Sequence, residues 1–122
     1  RIGAAEVEAA LATDKQVIGA AVVGYPHDIK GVGIFAYLIC EKEPVSLSEF
    51  TSEILATVSK EIGAIAKPEK ILIVEHLPKT RSGKIMRRIL RKLASQEFDQ
   101  LGDISTLLNP ETVEEIIRKI KV

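Results

Sequence analysis

Residues 17–39 read VIGAAVVGYPHDIKGVGIFAYLI, and this stretch decides the fold class. The first part, up to Tyr25, is a continuous run of small and β-branched apolar residues, which is typical of a buried strand. A Pro-His-Asp turn closes the run, and a second apolar run extends from Gly31 to Ile39. We therefore expect two strands separated by a turn.

The segments on either side of these strands show helical periodicity. Apolar residues recur at helical spacing over residues 4–11 and predict a short amphipathic helix. Ser46 and Glu49 have the spacing of a capping box, and the apolar stripe after them predicts a helix that stops at Gly63. Residues 71–74 predict a third, short strand.

Two further helices are predicted towards the C-terminus. One carries an apolar stripe over residues 85–93, with its arginines turned outward. Asn109 and Pro110 have the pattern of a cap and a first helical residue, which predicts a last helix after a looser connection over residues 95–109. The whole pattern predicts one α+β domain over residues 1–122, with a small sheet of about three strands covered by helices.

Composition narrows the class of protein. The 122 residues fit one domain, and a hydrophobic fraction of 46% supports a real core. No apolar run approaches the roughly 20 residues that cross a bilayer, so no membrane segment is expected. Cys40 is the single cysteine, which excludes an internal disulfide and fits a reducing compartment. Because the chain begins with Arg1 rather than Met, we expect it to be a piece of a longer protein.

The charge is zero overall but unevenly distributed. Seven of the 17 basic residues lie between positions 79 and 92, where there is no acidic residue. Such a local basic patch on a mildly acidic body indicates one site for an anion rather than a surface that binds nucleic acid generally.

Residues 77–88 read LPKTRSGKIMRR and contain the candidate functional residue. A polar loop follows the third predicted strand, and Lys84 lies just before the next predicted helix. Gly83, beside it, permits backbone angles that other residues resist. An ammonium at a loop tip suits an oxyanion or a phosphate. The loop is not a phosphate-binding P-loop, because Pro78 and Ile85 occupy positions that need Gly and Ser or Thr.

Two other interpretations of the basic run remain open from the residues alone. The arginines of the helix can simply keep it hydrated, or they can pair with acidic groups in the part of the protein that is missing from this chain. The run can also belong to a non-catalytic module that binds phosphates or nucleic acid. Aromatic residues make up only 4% of the chain and lie outside the run, so platforms for base stacking are absent from it.

Three motifs in order resemble a known family. The run PKTRSGKIMRRILR at residues 78–91 is similar to the C-terminal signature of the AMP-forming acyl-CoA synthetases, and in its fuller form to the acetyl- and propionyl-CoA synthetases. RIGAAEVE at residues 1–8 resembles the segment after their interdomain hinge. LGDISTL at residues 101–107, followed by Asn109 and Pro110, is similar to the tail of the acetate enzymes.

The resemblance implies a reaction in two steps. Acetate and ATP form acetyl-AMP, and the thiol of CoA then takes the acetyl group. It also implies an N-terminal domain, absent from this chain, that binds most of the ATP and the acyl group, so the isolated chain is expected to be inactive. Lys84 corresponds to the adenylation lysine, and Arg1 to an arginine that contacts bound nucleotide.

The resemblance further implies a cation site at Ala12, Asp14 and Val17, with Mg²⁺ as an expected cofactor. The family often has His at the middle position, and the carboxylate of Asp14 also suits a hard cation. An Asp in a surface turn is the alternative interpretation. Ser59 stands where some relatives have an arginine that helps to hold CoA, so that contact is not expected at this position unless Lys60 or Lys67 replaces it.

Lys84 also corresponds to a lysine that is switched by acylation and restored by sirtuin-type deacylases, so a lysine acyltransferase and such a deacylase are expected partners. Acetylation would remove the ammonium charge. Propionyl-CoA synthetase or another short-chain acyl-CoA ligase is the alternative to acetyl-CoA synthetase. A cytoplasmic location is expected, with the mitochondrion as the alternative, and neither nucleic acid nor a membrane is an expected partner.

Overall fold

The computed structural model describes residues 3–122 and contains one three-stranded sheet. Strands β1 (Val17–His27) and β2 (Gly31–Cys40) pair antiparallel, and β3 (Lys70–Ile73) pairs parallel with β2 on its other side. Arg1, which is expected to contact nucleotide, lies outside the described residues. The two strands expected from residues 17–39 are confirmed and form a hairpin.

Over the described residues, four α-helices accompany the sheet. They are α1 (Ala4–Leu11), α2 (Leu47–Glu61), α3 (Arg87–Ala94) and α4 (Glu111–Lys121), and a short 3-10 turn spans Ala64–Ala66. The side chain of Ser46 accepts the Glu49 N–H at 3.3 Å, as the capping pattern predicts. The predicted class, a small α+β domain whose three strands are covered by helices, is confirmed.

The sheet is buried on both faces because successive side chains of a strand point to opposite sides. Val22, Ala36 and Leu38 join the core formed with α1 and α2. The alternate residues of the same strands join a second core with α3 and α4: Ala21, Val23, Phe35 and Tyr37. Burial on both sides explains why β1 is almost continuously apolar.

Tyr37 ties the sheet to α3. Its hydroxyl donates to the carbonyl of Leu90 at 2.8 Å, and its side chain is fully buried. Burial raises the pKa of the phenol well above its ordinary value, so the group stays a neutral donor. This bond fixes α3 against the sheet. Helix α3 follows the loop of residues 77–86, which we call the basic loop.

The ends of two helices differ from the prediction. Helix α3 begins at Arg87, because Ile85 is still extended and pairs with Lys79 in an isolated antiparallel bridge. Helix α4 begins at Glu111, and the side chain of Asn109 is bonded to another segment instead of capping it. Within residues 3–122, the structure has no helix with both the length and the apolarity that crossing a bilayer requires.

Candidate functional site

The loop between β3 and α3 contains a compact turn built around Thr80. The N–H of Thr80 donates to the carbonyl of Lys84 at 2.8 Å, and the N–H of Gly83 donates to the carbonyl of Thr80 at 2.9 Å. The Thr80 hydroxyl accepts the N–H of Lys84 at 3.1 Å and lies 2.9 Å from the Ser82 hydroxyl. Lys84 therefore projects from a hydrogen-bonded turn.

Gly83 allows the turn to close. Its φ angle is +92°, in the region that favours glycine. A Cβ built on Gly83 meets no atom within 4 Å. The requirement for glycine at this position is therefore conformational rather than steric.

The base of the loop is anchored while its tip is exposed. Leu77 and Pro78 are buried, and the N–H of Met86 donates to the Pro78 carbonyl at 2.9 Å. Residues 81–84 are exposed. In the part of the chain that the structure describes, the Lys84 ammonium has no hydrogen-bond or ion-pair partner. The ammonium therefore remains available to an anion brought to the loop.

Several basic groups after Lys84 have structural partners. Arg88 and Arg91 are exposed, as predicted, whereas Arg87 is only partly exposed and has an acidic partner. Arg87 bonds both carboxylate oxygens of Glu8, at 2.6 and 2.8 Å, and one of these oxygens also accepts the N–H of Val22 at 2.8 Å. Arg88 donates to the carbonyl of Leu101 at 2.9 Å. The Nζ atom of Lys92 lies 3.5 Å from Oε1 of Glu97.

The contacts of Glu8 predict that replacing this residue destabilises the domain. We expect Glu8→Ala to lower the free energy of unfolding by about 2–4 kcal/mol, because Arg87 and the Val22 N–H both lose a partly buried acceptor. Glu8→Gln keeps a neutral acceptor and should lose about half as much. Urea unfolding of the 122-residue chain measures both. Glu6→Ala, at an exposed position of the same helix, is the control, and equal losses at positions 6 and 8 would contradict the prediction.

The predicted cation site lies in the connection between α1 and β1, away from the basic loop. Asp14 is buried, and its Oδ1 accepts the Gln16 N–H at 2.8 Å. The Asp14 carboxyl group raises the pKa of Glu53 in α2, whereas the Gln16 side-chain amide, which donates to Glu53 at 3.0 Å, lowers it. A buried carboxylate oxygen is a ligand that suits a hard cation.

The sequence did not indicate Glu53, which is 39 positions beyond Asp14 and meets it only through packing of α2. Residues 3–122 contain no group of three or more His, Cys, Asp or Glu side chains placed to hold a metal. A cation at Asp14 would therefore depend on the expected carbonyl ligands of Ala12 and Val17. Ser59 is half-buried in α2, which packs on the face of the sheet opposite α3.

The segment predicted as a looser connection is attached to the basic loop. Leu101 and Leu107 are buried in the core shared with α3 and α4. The side chain of Asn109 accepts the Lys79 N–H at 3.1 Å and donates to the Leu77 carbonyl at 3.0 Å. The sequence indicated no such contact, because an Asn before Pro is equally typical of a helix cap.

Comparison with known proteins gives consistent matches. The model of the family described as "AMP-binding enzyme C-terminal domain" matches residues 6–84. The chain is 57% identical over 117 residues to acetyl-coenzyme A synthetase of Leptospira biflexa and 56% identical over 117 residues to that of Mesorhizobium japonicum. Each alignment covers 96% of this chain and 18% of the relative, so the chain spans less than a fifth of the length of these curated relatives.

Solved structures agree with the fold. An acyl-CoA synthetase of Brucella canis superposes with a TM-score of 0.74 and 40% identity, over 82% of this chain and 18% of that chain. A benzoate CoA ligase of Burkholderia xenovorans superposes with a TM-score of 0.66 and 33% identity, over 74% of this chain and 18% of that one.

Proposed function

The chain belongs to the AMP-binding enzyme C-terminal domain family, and from this premise we propose that it is the mobile C-terminal domain of an AMP-forming acetyl-CoA synthetase. The relatives named acetyl-coenzyme A synthetase, at 53–57% identity, support acetate over other acyl groups. In the proposed reaction acetate and ATP form acetyl-AMP and pyrophosphate, and CoA then takes the acetyl group and releases AMP. The pockets for these substrates belong to the N-terminal domain, so the chain alone is inactive.

One observation carries the proposal: Lys84 presents an ammonium at the exposed end of a hydrogen-bonded turn, with no partner among residues 3–122. During adenylation a carboxylate must approach the α-phosphate of ATP, and the two anions repel each other. A cation 4 Å from one of them contributes about 4 kcal/mol at an effective dielectric constant of 20. Lys84 is therefore proposed to bridge the carboxylate and the phosphate, with Arg1 contributing a contact to the nucleotide.

A hard cation such as Mg²⁺ is proposed to bind Asp14 together with the carbonyls of Ala12 and Val17. The burial of the Asp14 carboxyl group, which also raises the pKa of Glu53, supports this site. When bound, the cation would supply positive charge beside the Asp14 carboxylate.

Lys84 is also proposed to be the target of a lysine acyltransferase and a sirtuin-type deacylase, since its side chain is exposed at a loop tip. The protein is proposed to act in the cytoplasm, and the single free Cys40 fits a reducing compartment. The nucleic-acid alternative is weakened because Arg87, Arg88 and Lys92 are already bonded within the chain.

The proposed function is tested with the intact protein, supplied with ATP, CoA and a carboxylic acid. We expect acetate-dependent formation of AMP, pyrophosphate and acetyl-CoA, and acetate-dependent exchange of labelled pyrophosphate into ATP. Propionate should react more slowly, and faster turnover of propionate would reassign the acyl group. Formation of ADP in place of AMP, or no dependence on any acid, would contradict the proposal.

A further inference from the structure

The two polar atoms of one side chain hold the base of the basic loop. Asn109 Oδ1 accepts the N–H of Lys79 at 3.1 Å, and Asn109 Nδ2 donates to the carbonyl of Leu77 at 3.0 Å. The N–H of Leu108 donates to the carbonyl of Lys79 at 2.9 Å. We call these three hydrogen bonds the clasp.

The clasp holds the backbone of Lys79, which leads into the turn. Lys79 lies opposite Ile85 in the antiparallel bridge, and its own N–H and carbonyl are both bonded in the clasp. Its neighbours make the hydrogen bonds of the bridge: the Thr80 N–H donates to the Lys84 carbonyl, and the Met86 N–H donates to the Pro78 carbonyl. Thr80, the next residue, makes the hydrogen bonds that define the turn. A shift of the backbone at Lys79 would therefore be transmitted to Lys84.

The segment that carries the clasp is itself fixed to the core. Leu107, just before it, is 4% exposed, and Leu101 is 7% exposed. Arg88 of α3 donates to the carbonyl of Leu101 at 2.9 Å. Asn109 therefore connects the base of the loop to a rigid part of the domain, whereas the tip of the loop stays exposed.

Capping of α4 does not explain the side chain of Asn109. Helix α4 begins at Glu111, and Asn109 contributes to its first turn only through its backbone carbonyl, which accepts the Thr112 N–H at 3.0 Å. Leu108 and Asn109, which form one side of the clasp, lie beyond residues 6–84, to which the family model extends, whereas Leu77 and Lys79 lie within that range.

We propose that Asn109 is a positioning residue, which holds the base of the loop so that Lys84 reaches the reacting carboxylate and phosphate in the correct geometry. This inference rests on the proposed function of Lys84. Asn109 touches neither substrate nor the reacting atoms in this proposal and acts through the backbone at Leu77 and Lys79. A misplacement of about 1 Å at a reacting centre can cost about 100-fold in rate, so the clasp matters although it is remote.

The experiment uses the intact enzyme and separates the two half-reactions. For Asn109→Ala we expect the kcat of ATP–pyrophosphate exchange to fall about 10–100-fold, with the KM values for ATP and acetate nearly unchanged. The rate of acetyl-CoA formation from preformed acetyl-AMP and CoA should stay near that of the wild type. That second rate also reports how much of the enzyme is folded, which a merely structural role would lower.

Two further variants sharpen the test. Asn109→Asp keeps an acceptor for the Lys79 N–H but loses the donor to Leu77, so its exchange rate should lie between those of the wild type and Asn109→Ala. If Asn109→Ala does not accumulate as folded enzyme, Asn109→Asp is judged by the same comparison of half-reactions. Gln100→Ala removes an exposed amide from the same tail and should leave both half-reactions unchanged.

A double variant separates this inference from the proposed function. If Asn109 acts through Lys84, Asn109→Ala should cause no further loss of exchange in a Lys84→Ala background. Equal losses in both half-reactions, or a full additional loss in the double variant, would overturn the positioning role. Normal exchange in Lys84→Ala would instead refute the proposed function, whereas normal exchange in Asn109→Ala alone would refute only the inference about the clasp.

Discussion

Replacing Lys84 with alanine in the intact enzyme is expected to slow acetyl-AMP formation about 10²–10³-fold, which is the usual cost of removing one preorganised electrostatic donor. Thioester formation from preformed acetyl-AMP and CoA should stay near the wild-type rate. The difference arises because the proposed contact is made only while the carboxylate approaches the α-phosphate, and no such approach occurs in the second step.

The structure explains why one side chain should have so specific an effect. Lys84 is exposed, and its backbone N–H and carbonyl are both bonded to Thr80. Removing the side chain beyond Cβ therefore leaves the hydrogen bonds of the turn intact. The loss of rate should come from the missing charge rather than from a rearranged loop.

Arg81→Ala is the matched control for this prediction. Arg81 lies on the same exposed tip and carries the same charge, three residues before Lys84. If the basic patch acts only through its overall potential, both variants should slow adenylation to a similar extent. We expect Arg81→Ala to lose less than about tenfold, which would locate the effect at Lys84. Pyrophosphate exchange at saturating ATP and acetate measures both variants.

Acetylation of Lys84 is expected to have an effect as large as the substitution and to be reversible. The modification removes the ammonium charge and adds a neutral, bulkier group at the loop tip. Adenylation should fall about 10²–10³-fold, and the thioester step should be spared. Treatment with a sirtuin-type deacylase and NAD should restore the exchange rate, because the exposed tip is accessible to such an enzyme.

The measurement requires uniform modification, so acetyl-lysine is incorporated at position 84 during synthesis of the intact enzyme. Acetyl-lysine at the exposed position 42 provides the control and should leave both half-reactions unchanged. Failure of acetyl-Lys84 enzyme to convert acetyl-AMP and CoA into acetyl-CoA would count against a role confined to adenylation. Normal exchange in the modified enzyme would exclude the regulatory proposal.

The elements of the fold were predictable because their signals are local. The apolar run of β1, the Ser46 cap and the stop near Gly63 each depend on neighbouring residues, and the structure has all three. The boundaries of α3 and α4 were less predictable. Ile85 fits a helical stripe equally well, but its bridge to Lys79 keeps it extended.

The candidate site was predictable to the same extent and for the same reason. A polar loop between a strand and a helix, with Gly83 beside Lys84, already places a lysine at an exposed tip. The cation site differs: Asp14 was expected from resemblance, whereas its neighbour Glu53 comes from another helix. Local sequence carries no signal for such a contact.

Contacts between residues that are far apart in the sequence could not be predicted from local sequence patterns. Arg87 was expected to face solvent, yet it bonds Glu8, 79 positions earlier. Asn109 was expected to cap a helix, yet it bonds Lys79, 30 positions earlier. The spacing of residues along the chain predicts which face of its own helix or strand a side chain lies on. It does not predict a partner on another element, because that contact forms only when the sheet and helices pack together. The exposed position of Lys84 can therefore be predicted from the sequence of its loop, whereas the contacts that hold that loop in place exist only in the folded domain.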